Sequence, residues 1–202
     1  MIELYDRYSQ ESRDLHESLV ATGLSQLGVV IDADGFLPDG LVSPFTYYLG
    51  YEKGKPLYFN QVPVPAFWEI SGNNQSARIE DMTQERARIH YADGMQARLV
   101  KQVDWKDLEG RVRQADHYNR FGACFATTTY SSDSEPIMTV YQDVNGQEVL
   151  LENHVTGDIL LTLPGQSMRY FANKVEFITF FLQDLELAKH QIVFNTLAVS
   201  YT

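Results

Sequence analysis

Apolar positions follow two different periods along this chain, and the change between them divides it. Over residues 9–22, SQESRDLHESLVAT, helical spacing gathers Tyr8, Ser12, Leu15, Leu19 and Thr22 on one side, with Gln10, Arg13, Asp14 and Glu17 opposite. Ser9 is placed to cap the first free amides and Gly23 to stop the turn, so a helix is predicted. A short apolar strand, GVVID, follows; then a turn-rich stretch, DGFLPDGLVSPFTYYLG, closes on aromatics.

From about residue 56 the period becomes two. RARIHY predicts Arg86, Arg88 and His90 on one strand face with Ala87, Ile89 and Tyr91 on the other, and GRVRQADHY sets out Arg111 and Arg113 likewise. PLYFNQV, AFWEIS, SARIEDM, ARLVKQVDW, ACFATTTY, IMTVYQD, QEVLLEN and DILLTL read as further strands. Between them a turn signal returns about every twelve residues: Trp105 before Asp107 and Gly110, Tyr118 before Asn119 and Gly122, Tyr130 before Ser131, Tyr141 before Asp143 and Gly146. Such spacing means successive antiparallel hairpins, with Asp or Asn bonding the turn backbone and Gly free at its end.

Helical spacing returns at 173–190, NKVEFITFFLQDLELAKH, where Asn173 and Glu176 form a capping-box pattern and the apolar residues wrap most of the circumference. QIVFNTLAVSYT then reads as a buried strand. A helix followed by an apolar strand is how an α/β layer begins, so a truncated or shortened relative of a longer protein is expected. The predicted class is α+β: an extended antiparallel β-meander over 52–172, flanked by helix and strand elements at 1–51 and 173–202. Its strands carry charge on one face and small residues such as Ala115, Ala126, Thr127 and Thr128 on the other, so a single-layer sheet is expected to need cover from the helices or from a partner.

The 202 residues, 44% of them hydrophobic, are enough for a buried core, and the net charge of -11 argues against a nucleic-acid binder. Nine of the 16 basic residues nevertheless lie between Arg78 and Arg120. No apolar run reaches the roughly 20 residues that span a bilayer, and the polar opening MIELYDRYSQES does not read as a signal peptide. Cys124 is the single cysteine, which excludes an internal disulfide and favours the cytoplasm.

Candidate chemistry is thin. VVIDADG resembles the nucleophile loop of haloacid-dehalogenase-type phosphatases through Asp32 and Asp34, but Phe36 stands where that loop carries Thr, and no downstream lysine or acidic pair is evident. A strand ending in an Asp-Gly turn accounts for the same residues. Asp32-Ala33-Asp34 as a D-x-D, and Glu3 with Glu11 as an E-x7-E, are short glycosyltransferase-like patterns that arise by chance. The five histidines are scattered without ligand spacing, and Cys124 reads as a packed thiol, so neither metal nor cofactor is expected. Arg86, Arg88, Arg111 and Arg113 are candidates for a basic face toward an acidic partner, or for cross-strand pairing. Trp105, Tyr118, Tyr130 and Tyr141 are candidates for rungs against sugar or peptide, or for packing beside the turns.

Long segments carry more. DLHESL, DGFLPDGLVSPFTYYLG, YFNQVPVPAFWEI, NQSARIEDM, ERARIHY, LVKQVDW, GRVRQADHYN, FATTTY, ENHVTGDILLTL and FANKVEF, in this order, resemble the N-terminal half of the GtfB family of glycosyltransferase-stabilising subunits of the accessory Sec system. The resemblance implies a GT-B-like Rossmann half carrying an extended sheet domain, and a role without catalysis. It implies a hetero-oligomer with a catalytic partner, GtfA, that moves N-acetylglucosamine from UDP-GlcNAc to Ser and Thr of serine-rich repeat adhesins. The implied setting is the cytoplasm, with the complex peripheral on the cytoplasmic membrane face. It supplies no catalytic residues, and family members are about twice as long. A stand-alone peptide- or carbohydrate-binding β-module is the alternative.

Overall fold

The computed structural model describes residues 2–23, 27–92, 97–185 and 192–194. The chain opens with β1 (Ile2–Tyr5), crosses through α1 (Gln10–Ala21) to β2 (Leu27–Val30), and reaches β3 (Leu41–Val42) and the short α2 (Pro44–Tyr47). α1 begins where predicted, the Ser9 hydroxyl accepting the Ser12 amide at 3.3 Å. β1 is absent from the sequence reading because Glu3 interrupts it. In the fold Glu3 is only 1% exposed and its carboxylate accepts hydrogen bonds from the Tyr5 hydroxyl and from His16 Nδ1, the latter at 2.7 Å. A polar group therefore takes an apolar position in the strand, bonded to a side chain of the helix packed on it. Glu11, its supposed E-x7-E partner, is exposed on the first turn of α1.

The meander runs through β4 (Glu69–Gly72), β5 (Ser76–Asp81), β6 (Gln84–Tyr91), β7 (Val100–Lys106), β8 (Val112–Tyr118), β9 (Cys124–Tyr130), β10 (Pro136–Gln142), β11 (Glu148–Asn153), β12 (Ile159–Leu161) and β13 (Arg169–Phe171). They form one ten-stranded antiparallel sheet in strict chain order. Four of its turns repeat one device. At Asp107, Asn119, Ser131 and Asp143 a side-chain oxygen accepts the amides two and four residues ahead, at 2.8–3.2 Å. Three residues on, Gly110, Gly122, Ser134 and Gly146 take positive φ, 61 to 83°, a conformation in which a side chain crowds its own carbonyl. The expected strand at PLYFNQV is not one: Tyr58 makes an isolated bridge to Leu99 and Phe59–Gln61 form a 3-10 turn, in keeping with the prolines at 56, 63 and 65.

The sheet buries opposite faces in its two halves. Along one face the row His90, Gln102, His117, Ala126, Tyr141, Leu150, Leu161 begins polar and ends apolar. The row beside it on the other face, Ile89, Val103, Asp116, Thr127, Val140, Leu151, Leu160, begins apolar and turns polar at β8 and β9. Ala77, Ile79, Ala87, Ile89, Val100, Val103 and Tyr118 pack under Leu57, Phe59, Val62, Val64 and Trp68 of the segment before β4. Ala126, Tyr141, Leu150, Ile159, Leu161 and Phe171 pack on the opposite side, against Phe45 of α2, Leu49, and Phe177 of α3 (Lys174–Asp184). Each fully buried ring contributes roughly 2–3 kcal/mol. The expected single apolar face awaiting one cover is thus corrected to two half-faces, each covered from its own side.

α3 starts at the predicted cap: Asn173 Oδ1 accepts the Glu176 amide at 3.0 Å, and Glu176 reaches back to the Ala172 amide at 2.9 Å. It ends at Asp184, whereas the predicted helix ran to 190; residues 186–190 of that stretch lie outside the described ones. Phe181 packs on Ile2, Leu4 and Val29, the face of the first sheet opposite α1. The last strand among the described residues, β14 (Ile192–Phe194), lies parallel to β1, so the described strands form a parallel sheet ordered β14-β1-β2-β3. The two sheets are clamped at the loop after β2: the Arg120 amide donates to Gly35 O at 2.8 Å, and Arg120 pairs with Asp39 at 2.6 Å.

Candidate functional site

Between the carboxyl end of β2 and the meander lies a groove of about 410 Å³, bordered by Asp32, Phe45, Tyr130, Tyr141, Glu152 and Lys174 among others. In open α/β sheets ligands collect at the carboxyl ends of the strands. The groove floor is polar and continuous. His117 Nε2 meets Thr128 Oγ1 at 2.9 Å, Thr128 meets Thr139 at 2.7 Å, and Thr139 meets His154 Nε2 at 2.7 Å, linking β8, β9, β10 and the turn after β11. The sheet switches faces here, and buried Thr128 and Thr139 stand where the apolar row of this face gives way to polar positions. Burial holds the His117 imidazole below its ordinary value, favouring the neutral ring. Tyr141 donates to Glu152 at 3.1 Å, and Lys174 lies 3.6 Å from Asp32. The neutral His117 ring, the His154 ring, hydroxyls and an amine beside carboxylates suit hydrogen bonding to a polar ligand.

The phosphatase-like loop is differently employed. Asp34 accepts the Phe36 amide at 2.8 Å and pairs with Lys101 at 3.1 Å, which makes it a turn and clamp residue. A lysine does come near Asp32, from α3, but among the described residues no group of three His, Cys, Asp or Glu is placed to hold a metal ion. Burial pushes the Cys124 thiol up to about 11, matching the packed thiol read from the sequence. At pH 8 its alkylation in the native protein is expected to run roughly a hundredfold slower than in the unfolded chain, followed by mass mapping of the Cys124 peptide. Equal rates would show an accessible thiol of ordinary reactivity instead.

The eight candidate contact residues do not form one surface. Trp105 and Tyr118 belong to the apolar cluster of the first half, with Tyr118 8% exposed and Trp105 Nε1 donating to Asp116 at 2.7 Å. Tyr130 and Tyr141 border the groove on the opposite face, and Tyr141 is 3% exposed against Phe45. A ladder of rings for sugar is therefore not assembled. Arg111 and Arg113 both bind Asp107 of their own turn, at 3.3 and 2.9 Å, while Arg113 also donates to Ser131 O at 2.6 Å. That arrangement holds the Asp107 carboxyl down at about 2, chiefly through the Arg111 amide. Arg88 pairs with Glu85 at 2.6 Å. Arg86 departs from the alternation: Ile79 faces Ala87 but Glu80 faces Glu85, so Arg86 is the extra residue of a bulge. Its guanidinium lies over Trp68 at 5.3 Å, on the side away from Arg88. The expected shared face of Arg86, Arg88 and His90 is corrected accordingly. The groove histidines and threonines were missed, since no local spacing marks them; only cross-strand register brings them together.

Comparison with known proteins accords with this architecture. The chain matches the family models described as GtfB N-terminal domain, over residues 2–48, and GtfB middle domain, over residues 68–172. Over 201 residues it is 89% identical to the UDP-N-acetylglucosamine--peptide N-acetylglucosaminyltransferase stabilizing protein GtfB of Streptococcus pneumoniae serotype 4, covering all of this chain and 45% of that protein. The protein of the same description in Streptococcus gordonii is 54% identical over 203 residues, again with 45% of its length covered. A chain in the crystal structure of a GtfA/B complex bound to UDP and GlcNAc superposes with a TM-score of 0.93 at 55% identity, covering 98% of this chain and 45% of that one. The chain thus spans less than half the length of these relatives. On the matched models and the identity along its whole length, it belongs to the GtfB family of glycosyltransferase-stabilising proteins.

Proposed function

We propose that this chain is the N-terminal part of a non-catalytic subunit that binds and stabilises a cytoplasmic peptide N-acetylglucosaminyltransferase of the GtfA kind. The carrying observation is identity of 89% and 54%, over the whole chain, to proteins described as stabilising such a transferase. The engagement of Asp34 in a turn and an ion pair leaves it out of the nucleophile-loop role its motif suggested. We read residues 1–51 and 173–202 as one GT-B-like Rossmann half, supported by the parallel sheet with α1 on one face and α3 on the other. Residues 52–172 are the inserted sheet domain. The groove over His117, Thr128, Thr139 and His154 is where a Ser/Thr-rich adhesin segment lies, its hydroxyls and backbone amides matching that polar floor.

Full-length protein and catalytic subunit are expected to co-elute as a hetero-oligomer in size exclusion with light scattering, and the transferase alone to lose activity faster on storage. Two separate peaks from folded proteins would refute this role.

A further inference from the structure

The four side chains on the groove floor make three contacts: His117 Nε2 with Thr128 Oγ1, Thr128 with Thr139, and Thr139 with His154 Nε2. Each contact needs one hydrogen. The two hydroxyls bring one apiece, and a ring brings one only when its Nε2 is protonated. Both rings therefore cannot accept at once, because the 2.7 Å contact between the two hydroxyl oxygens would then hold no hydrogen. With one ring donating and the other accepting, every contact is filled and the bonds run in a single sense along this relay. Reversing one bond then reverses all three.

The surroundings choose the sense. His154 is exposed on the turn after β11, His117 is half-buried, and Thr128 and Thr139 are 5% and 4% exposed. Lys101 and Asp104 of β7 and Asp116 of β8 act on His117, but they are engaged by Asp34, His90 and Trp105. On the groove side Glu152 of β11 accepts the Tyr141 hydroxyl of β10, and Lys174 of α3 lies beside Asp32 of the loop after β2. Tyr130 of β9 and Tyr141 are held neutral by burial, and Asp158 of the His154 turn accepts the Thr156 hydroxyl. Among the described residues neither ring has a second side-chain hydrogen bond. An unpaired N–H away from water is less tolerable than an unpaired lone pair. With both rings neutral, His117 thus donates through Nε2, and the relay runs toward His154, whose Nδ1–H meets solvent.

We propose that this relay is a pH-operated switch: a proton taken up by His154 reverses all three bonds and turns His117 from a donor at Nε2 into an acceptor. A charged His154 must donate through Nε2, so Thr139 can no longer donate to it. The Thr139 hydroxyl turns to Thr128 and the Thr128 hydroxyl turns to His117 Nε2. His117 gives up its Nε2 proton to solvent, takes one at Nδ1 and stays neutral, as its burial favours. Were His117 to go on donating, the Thr139 hydrogen would have no acceptor at a buried position. The floor therefore presents opposite bond dipoles to the groove on the two sides of the His154 titration, whatever the occupant.

The test is NMR of the ring nitrogens in full-length protein carrying isotope-labelled histidine, over about pH 5 to 8. His117→Gln and His154→Gln assign the two rings. As His154 charges, His117 Nε2 is expected to move from the protonated to the unprotonated range and Nδ1 the opposite way, with the midpoint of His154. Thr139→Val and Thr128→Val each cut the relay, and His117 is expected to lose the response; Thr139→Ser, which restores the hydroxyl, is expected to recover it. Two cut positions let one variant decide should the other fail to fold. A His117 ring that keeps one tautomer throughout the wild-type His154 titration overturns the switch. A response of wild-type size in the valine variants overturns it too, since it would come from charge acting through space.

Discussion

Replacing His16 by Ala is expected to destabilise the first sheet by about 2–3 kcal/mol, one of the two largest effects foreseen for a single side chain here. Glu3 lies in the middle of β1 with 1% exposure, and its carboxylate is bonded to His16 Nδ1 at 2.7 Å and to the Tyr5 hydroxyl. Taking the imidazole away leaves a buried carboxylate with fewer donors. The loss extends to docking of α1, because Ser12 and His16 are its only fully buried positions. Glu3→Leu combined with His16→Leu is expected to recover most of the loss, since apolar residues of similar volume need no partner. Urea unfolding read through amide exchange of β1 and α1 measures both. If the double variant is no better than His16→Ala, shape and not charge pairing holds the helix.

Gly122→Ala is expected to cost about 3 kcal/mol, and Gly110→Ala only about 1 kcal/mol, although both glycines occupy the same place in the same turn. Their φ values are 83 and 81°, so the conformational penalty is shared. What differs is the surroundings. A Cβ on Gly110 would meet nothing within 4 Å, whereas on Gly122 it would stand 2.3 Å from the backbone oxygen of Lys55. Backbone cannot swing aside as a side-chain tip does. The difference in unfolding free energy between the two variants therefore isolates the close approach of the 54–57 strap to the β8–β9 turn. Equal losses would mean that the strap yields.

These positions also mark how far the sequence was legible. The turn device could be read directly, because Asp107, Asn119, Ser131 and Asp143 each do their bonding within four residues. The caps Ser9 and Asn173 were legible for the same reason. β1 was not, since Glu3 is paid for by a helix residue thirteen positions away. Arg86 was misplaced because a bulge depends on what the neighbouring strand does, which alternation within one strand cannot report. The face switch was hidden likewise: each strand near β8 and β9 looks too polar to bury, and only the register across strands shows one apolar row fading as the other begins. Of the candidate site, Tyr130 and Tyr141 were named and their groove was not, because His117 and His154 come together through two threonines of intervening strands. Family membership was legible from long segments taken in order, independently of any of these contacts.

The change of face has a geometric consequence for assembly. With each cover on its own side, the parts of the sheet that the described residues leave open also point in opposite directions: a charged stretch around Arg88, His90 and Asp104 on one side, and a half-exposed aliphatic stretch of Val140, Leu151 and Leu160 on the other. They are offset along the sheet as well as opposed across it. A body seated on either leaves the other unobstructed, so a single layer of strands can hold two different macromolecules at once, back to back, without a second domain to separate them.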